Sequence, residues 1–329
     1  MADKIITMDE LAKEFKDDPR YKDEPIMAVI GLDADQLVIK HEALMQLKVN
    51  DREQILSPIL CKGGIGLLHA VAGAGKSHFC LNLAYAIAQG GQFLKYNAPT
   101  PRKVLYVDGE LGMEDIHRYT AQIARKQGEL FFPENLQYFC ADQFPNANIP
   151  KLDDEHGRRF YIDFLAKHKF DGVFFDNLKM LSNIDENKTT EWNPIQQMLL
   201  QLRAKGIFSW LVHHAGADGT KQRGVSARMD AMNTVISLQK FDDEEKAGSI
   251  KVVYQKARHF YGNDALDFEA KNHFDGEWSF KDFEISFDDQ VWKMIQLKWK
   301  DKEIMEELKC SRMRVHRAKK RLEKGGYMF

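Results

Sequence analysis

The residue types and spacing best suited to chemistry lie in the run Ala70-Val71-Ala72-Gly73-Ala74-Gly75-Lys76-Ser77, which follows an apolar stretch and precedes Phe79, Leu83, Ala84 and Ile87 at helical spacing. A buried strand, a glycine-rich turn and a helix in that order make an anion site. The glycines let backbone N–H groups curl around phosphate oxygens at the positive end of the helix. On this reading Gly73, Ala74, Gly75, Lys76, Ser77 and His78 hold a nucleotide. The Lys76 ammonium reaches the β and γ phosphates, the Ser77 hydroxyl ligates Mg²⁺, and the implied cofactors are ATP and Mg²⁺. Ala70 stands where the usual pattern has its first glycine, and a methyl group fits there with the backbone in the β region.

Hydrolysis needs carboxylates near those phosphates, and two further apolar runs end in them. Val104–Val107 leads into Asp108-Gly109-Glu110, and Gly172–Phe175 leads into Asp176-Asn177. One acid serves the metal's water shell and the other polarises the attacking water, but spacing leaves open which strand supplies the metal-side aspartate. Phosphoryl transfer also spreads negative charge over the γ oxygens, which a guanidinium can neutralise. Arg258, in Lys256-Ala257-Arg258, follows a core strand more closely than any other arginine.

The elements that must position these groups follow from the hydrophobic pattern. Apolar runs at 65–71, 104–107, 172–175, 208–212, 234–238 and 250–254 are mostly continuous rather than alternating, as in parallel strands covered on both faces. Helical periodicity over 77–88, 113–127, 158–168 and 194–205 separates them, so the expected core is α/β with a mostly parallel sheet. Turn residues after Phe260 suggest a small β extension, and the last forty residues read as helices at 288–298, 302–309 and 312–324. The expected domains are an N-terminal extension (1–60), an ATPase core (61–285) and a C-terminal helical unit (286–329).

Composition narrows the function classes. The 329 residues carry 47 Lys+Arg against 49 Asp+Glu, and 44% of them are hydrophobic, which excludes a disordered acidic chain and a uniformly basic nucleic-acid coat. Apolar runs fall short of a membrane span and the charged start lacks the core of a signal peptide, so a cytoplasmic protein with no membrane partner is expected. Four scattered cysteines without Cys-x-x-Cys argue against a zinc cluster or a disulfide framework. The near-neutral total hides a local excess: residues 309–324 hold eight bases and one acid, Glu323. With a break at Cys310-Ser311, the last two helices resemble a helix-turn-helix DNA-binding unit, in which Arg312, Arg314, Arg317 and Lys320 meet DNA.

The series taken together, with a glycine-rich phosphate loop, strand-Asp-Gly-Glu, strand-Asp, a strand ending in His213-His214 and a final Lys-x-Arg, resembles the RecA-like core of RepA-type hexameric helicases, related to the DnaB type, over about residues 60–260. The resemblance implies a RecA-like P-loop fold, with Glu110 as the water-activating glutamate and Asp176 as the Walker B acid. It implies that His213 or His214 senses the γ-phosphate, and that Lys256 and Arg258 reach a neighbouring subunit's nucleotide. It also implies that Lys221 and Arg223, in the glycine-rich loop after His214, grip single-stranded DNA, with Lys188 in a companion loop. The expected protein is an ATP-driven DNA helicase or translocase of a mobile element, forming a ring that by the resemblance is a hexamer. The rivals are a recombination or repair ATPase that does not unwind, and a DNA-bound regulator switched by ATP.

Overall fold

A computed structural model of the chain describes residues 38–46, 52–125, 132–144, 146, 148–184, 189–214, 229–241, 248–273, 276–283 and 286–324. The chain divides into two units, Met1–Asp51 and Arg52–Phe329. The described part of the first contains a six-residue exposed helix, His41–Gln46.

In the second unit a nine-stranded sheet carries the fold. Its strands in chain order are β1 (Ile65–Ala70), β2 (Val104–Asp108), β3 (Leu136–Cys140), β4 (Gly172–Asp176), β5 (Phe208–His214), β6 (Thr234–Lys240), β7 (Ser249–Ala257), β8 (Phe268–Asn272) and β9 (Trp278–Asp282). Spatially they run β9-β8-β7-β6-β1-β5-β4-β2-β3. The six strands from β6 to β3 are parallel, and β7, β8 and β9 add antiparallel pairs. The expected β extension is therefore part of the main sheet.

Continuous apolar composition marks strands covered on both sides, and β1, β2 and β4 are buried along their whole length. One face packs against α1 (Lys76–Gln89) and α2 (Met113–Arg125), joining Leu68 and Tyr106 to Phe79, Leu83 and Ile116. The other packs against α3 (Glu155–Lys167), the one-turn α4 (Leu178–Leu181) and α5 (Thr189–Ala204), joining Leu67 and Phe175 to Tyr161, Leu199 and Leu202. Gly66 is required by this packing, because a Cβ there would lie 2.2 Å from the Trp210 ring on β5.

Three differences from the sequence expectation have physical causes. Residues 52–60 belong with the core, because Ile55, Leu56, Ile59 and Leu60 are buried on a ribbon of Gln54–Leu56 and Leu60–Cys61. Helix α5 begins at Thr189, before the proline taken for its first residue, so Pro194 lies inside it. Strand β3, an edge strand buried only at Leu136 and Cys140, lacks the continuous apolar run that reveals its neighbours.

The C-terminal helices are α6 (Phe287–Gln296), α7 (Asp301–Glu307) and α8 (Arg312–Lys324). They enclose their own small core of Val291, Met294, Ile304, Val315, Ala318 and Leu322. Lys293 anchors them to the sheet, donating to Tyr254 O at 2.7 Å and to Asp267 Oδ1 at 2.8 Å. Among the described residues no helix is long and apolar enough to cross a membrane.

Candidate nucleotide site

Parallel strands deliver their C-terminal ends to one edge, and the register fixes which ends meet. Ala70 is level with His214 and Leu238, and Asp108 with Asp176. The phosphate loop leaves this edge from β1. Gly73 and Gly75 have φ values of 69° and 80°, a left-handed region that a side chain would strain, and they curl the backbone into the start of α1. Lys76 is 6% exposed, and its Nζ donates to Val71 O at 3.2 Å. Burial lowers the Lys76 pKa, while Asp176 and Glu110 pull it back up. Lys240, at the end of β6, donates to Ala72 O at 3.4 Å and adds a second cation beside the loop.

The structure separates the two strand-terminal aspartates that spacing left equivalent. Asp108 is taken up by its own turn, accepting from the N–H groups of Leu111 at 3.0 Å and Gly112 at 2.8 Å. Asp176 is fully buried beside Ser77 and Lys76. Tyr106 Oη donates to its Oδ2 at 2.6 Å, and its Oδ1 is buried without a hydrogen-bond partner. Burial raises Asp176 to about 6, against the lowering influence of the Tyr106 and Ser77 hydroxyls. An uncompensated buried carboxylate oxygen next to a serine hydroxyl suits a hard cation that takes oxygen ligands and keeps several waters. Ser77 and Asp176 would hold Mg²⁺, which would neutralise the phosphate oxygens.

Asp176 therefore carries a testable cost. A carboxyl raised from 3.8 to about 6 in the folded chain makes stability fall as pH rises through that window. Without metal, Asp176→Asn should melt higher than wild type at pH 7.5 by up to about 3 kcal/mol, with the gap closing toward pH 4. Thermal denaturation at the two pH values measures it, and equal melting of the two proteins at both would remove the buried charge from the argument.

Above Asp176, Glu110, Asn177 and His214 form a cluster. Asn177 Nδ2 donates to Glu110 Oε2, and His214 Nε2 lies 2.9 Å from Asn177 Nδ2 and 3.2 Å from Glu110 Oε2. The Glu110 side chain is 45% exposed, so it is open to solvent and to a bound nucleotide. His213, next along β5, points to the other face and is 4% exposed, so of the pair only His214 joins the cluster. His78 lies behind the loop, stacked on Trp278 at 5.7 Å and edge-on to Tyr119 at 5.2 Å, in the wall of a cavity of about 620 Å³ that also touches Gly73 and Gly75.

Lys256 and Arg258 lie elsewhere. Because β7 is antiparallel, Ala257 is level with Thr234 and Gly66, at the opposite edge from the phosphate loop. Four residue steps along β1 separate Gly66 from Ala70, which is about 13 Å at 3.3 Å per residue. Lys256 donates to the carbonyls of Met229 and Asp230, and Arg258 Nη2 to Asp230 O at 3.0 Å. Lys188, Lys221 and Arg223 lie outside the described residues. On α8, Arg314 sits 4.2 Å over the Phe287 ring and Arg317 contacts Met313 Sδ, whereas Arg312 and Lys320 make no ion pair among the described residues. Sequence reasoning missed Tyr106, Asn177 and Lys240; Asn177 was visible only as the neighbour of Asp176.

A phosphate loop on a central parallel strand, a buried aspartate and an exposed glutamate on neighbouring strand ends define a P-loop ATPase. The chain belongs to the AAA domain family, whose model matches residues 36–220, more than half of its length. Among solved structures it is similar to the flagellar accessory protein FlaH from Methanocaldococcus jannaschii, at 15% identity and a TM-score of 0.44, over 64% of this chain and 86% of that one. Among curated proteins no significant match is found.

Proposed function

We propose that this ATPase is a RecA-like, ring-forming DNA motor of the RepA-type helicase group that acts in mobile-element replication, with ATP hydrolysed between adjacent copies. The observation that carries the reading is the separation of Arg258 from its own phosphate loop. No arginine among the described residues hydrogen-bonds within the Asp176, Glu110, Asn177 and His214 cluster, while Arg258 stands at the far edge of the sheet. A guanidinium so placed acts on a nucleotide only if the nucleotide belongs to another copy.

The strand order supports the same assignment. β5 lies between the phosphate-loop strand and the Asp176 strand, and it ends in His214. That histidine touches Glu110 and is followed directly by the glycine-rich loop of Lys221 and Arg223, so it is suited to link γ-phosphate occupancy to single-stranded DNA. ATP turnover measured with and without single-stranded DNA, alongside light scattering in ATP, tests the proposal. DNA-stimulated turnover by an assembled ring is expected. A monomer whose turnover ignores DNA would overturn it.

The C-terminal helices serve as a helix-turn-helix that recruits the motor to duplex DNA, making localisation with the nucleic acid part of the proposal. The exposed positions not tied within the unit, Arg312 and Lys320, are its best candidates for phosphate contact. Replacing either by Ala should weaken duplex binding evenly across sequences and lower the salt slope by about one. A titration over several salt concentrations checks this, and an unchanged slope for both variants would refute the duplex role of α8.

A further inference from the structure

Strand β2 is buried along its whole length, and beside Tyr106 it carries Val104, Leu105 and Val107, so packing alone would be met by a phenylalanine at 106. A phenol hydroxyl enclosed in such a place costs free energy unless it is paired. Tyr106 is 0% exposed, and its Oη donates to Asp176 Oδ2 on the neighbouring strand β4 at 2.6 Å. Register explains the reach. Tyr106 is level with Phe174 and Asp108 with Asp176, so Asp176 lies two residues along β4 on the same face. Diagonal neighbours of this kind stand about 7–8 Å apart at the backbone, a span that an aromatic side chain crosses. The ring is fixed in that direction, stacked on Phe174 at 5.7 Å and 15° and tilted against Tyr138 at 6.3 Å.

The two strand-terminal aspartates are thereby held in different ways. Both oxygens of Asp108 accept from backbone N–H groups of its own turn. Asp176 has one oxygen held and one left over: Oδ2 accepts from Tyr106, and Oδ1 is buried without a hydrogen-bond partner. The terminal torsion of an aspartate is broad and two-fold, so a carboxylate without a clamp turns easily. One short bond to one oxygen stops that rotation and keeps the other oxygen in place.

We infer that Tyr106 is a positioning residue for the metal side of the nucleotide site: its hydroxyl holds Asp176 Oδ2, fixes the plane of the carboxylate and reserves Oδ1 for a divalent cation or a water of its shell. The inference rests on the reading above in which Ser77 and Asp176 hold Mg²⁺. Tyr106 acts through Asp176 and takes no part in the chemistry itself. Outer groups that orient a metal-binding side chain contribute about 10–100-fold to metal affinity, an effect measurable without turnover.

Binding of a fluorescent ADP to the full chain, in Mg²⁺ and in EDTA, tests this. The quantity read is the factor by which Mg²⁺ tightens ADP. In Tyr106→Phe that factor should fall by on the order of 10-fold, while affinity in EDTA stays at the wild-type value. Tyr138→Phe, which removes a hydroxyl at the level position of the next strand, should leave both unchanged. An undiminished Mg²⁺ factor in Tyr106→Phe overturns the inference, and so does an equal loss with and without Mg²⁺, the mark of a merely structural hydroxyl. A second variant guards against poor folding of the first. Combined with Asp176→Asn, the loss of the hydroxyl leaves no buried charge unpaired. A residue that acts through Asp176 adds nothing once that carboxylate is gone, so the double variant should match Asp176→Asn in both conditions. A further loss of the Mg²⁺ factor there overturns the inference. Failure of the metal reading has its own signature and takes the inference with it: Asp176→Asn would then keep the full Mg²⁺ factor.

Discussion

Arg258→Ala chains should bind ATP and assemble like wild type, yet turn ATP over roughly 10³–10⁵-fold more slowly, because the guanidinium is needed only against the charge of the transition state. The placement of Arg258 makes the test sharper than a single variant allows. It lies at the sheet edge opposite its own phosphate loop, so in the proposed ring its partner nucleotide belongs to a neighbour. Lys76→Ala chains lose the cation buried in the phosphate loop but still present Arg258, whereas Arg258→Ala chains keep the loop. Where the intact loop of an Arg258→Ala chain faces the Arg258 of a Lys76→Ala chain, one complete site forms. Equimolar mixtures should therefore recover activity that neither variant shows alone, in proportion to the mixed interfaces. Mixtures that stay inactive although exchange is demonstrated would refute catalysis between subunits.

Glu110→Gln should keep nucleotide and Mg²⁺ affinity and lose roughly 10²–10⁴-fold in the hydrolytic step, since an amide cannot take the proton of the attacking water. The geometry favours this separation. Glu110 is exposed and held laterally by Asn177 and His214, while the phosphate-binding groups Lys76 and Ser77 lie on another element. Asp176→Asn should instead weaken Mg²⁺ binding, because Asp176 carries the buried, unpartnered oxygen beside Ser77. Single-turnover hydrolysis and nucleotide affinity with and without Mg²⁺ distinguish the two. Reversed phenotypes would exchange the roles of the carboxylates.

Read from one end of the chain to the other, the signals that survive without tertiary structure are local. The phosphate loop is one: strand, glycines, lysine and helix are contiguous, so its chemistry is written in eight adjacent residues. The buried parallel strands and the three C-terminal helices are others, because periodicity and continuous apolar runs reflect each element's own burial. Strand β3 escaped because an edge strand is half covered and carries a mixed pattern.

The sequence by itself determined that the chain has a P-loop core of alternating strands and helices with acids at strand ends, since each such feature depends on neighbours within about ten residues. Only the tertiary structure decided which acid keeps a buried, unpartnered oxygen beside the phosphate loop. Asp108 and Asp176 end similar strands, and they differ because one is consumed by the N–H groups of its own turn while the other is enclosed by Tyr106, Ser77 and Lys76 from elsewhere. The same holds for His214 over His213, set by the two-residue alternation of β5, and for Arg258, whose distance from its own phosphate loop follows from the antiparallel course of β7. Strand order and direction bring distant residues together or hold them apart, and those are set by pairings between segments far apart along the chain.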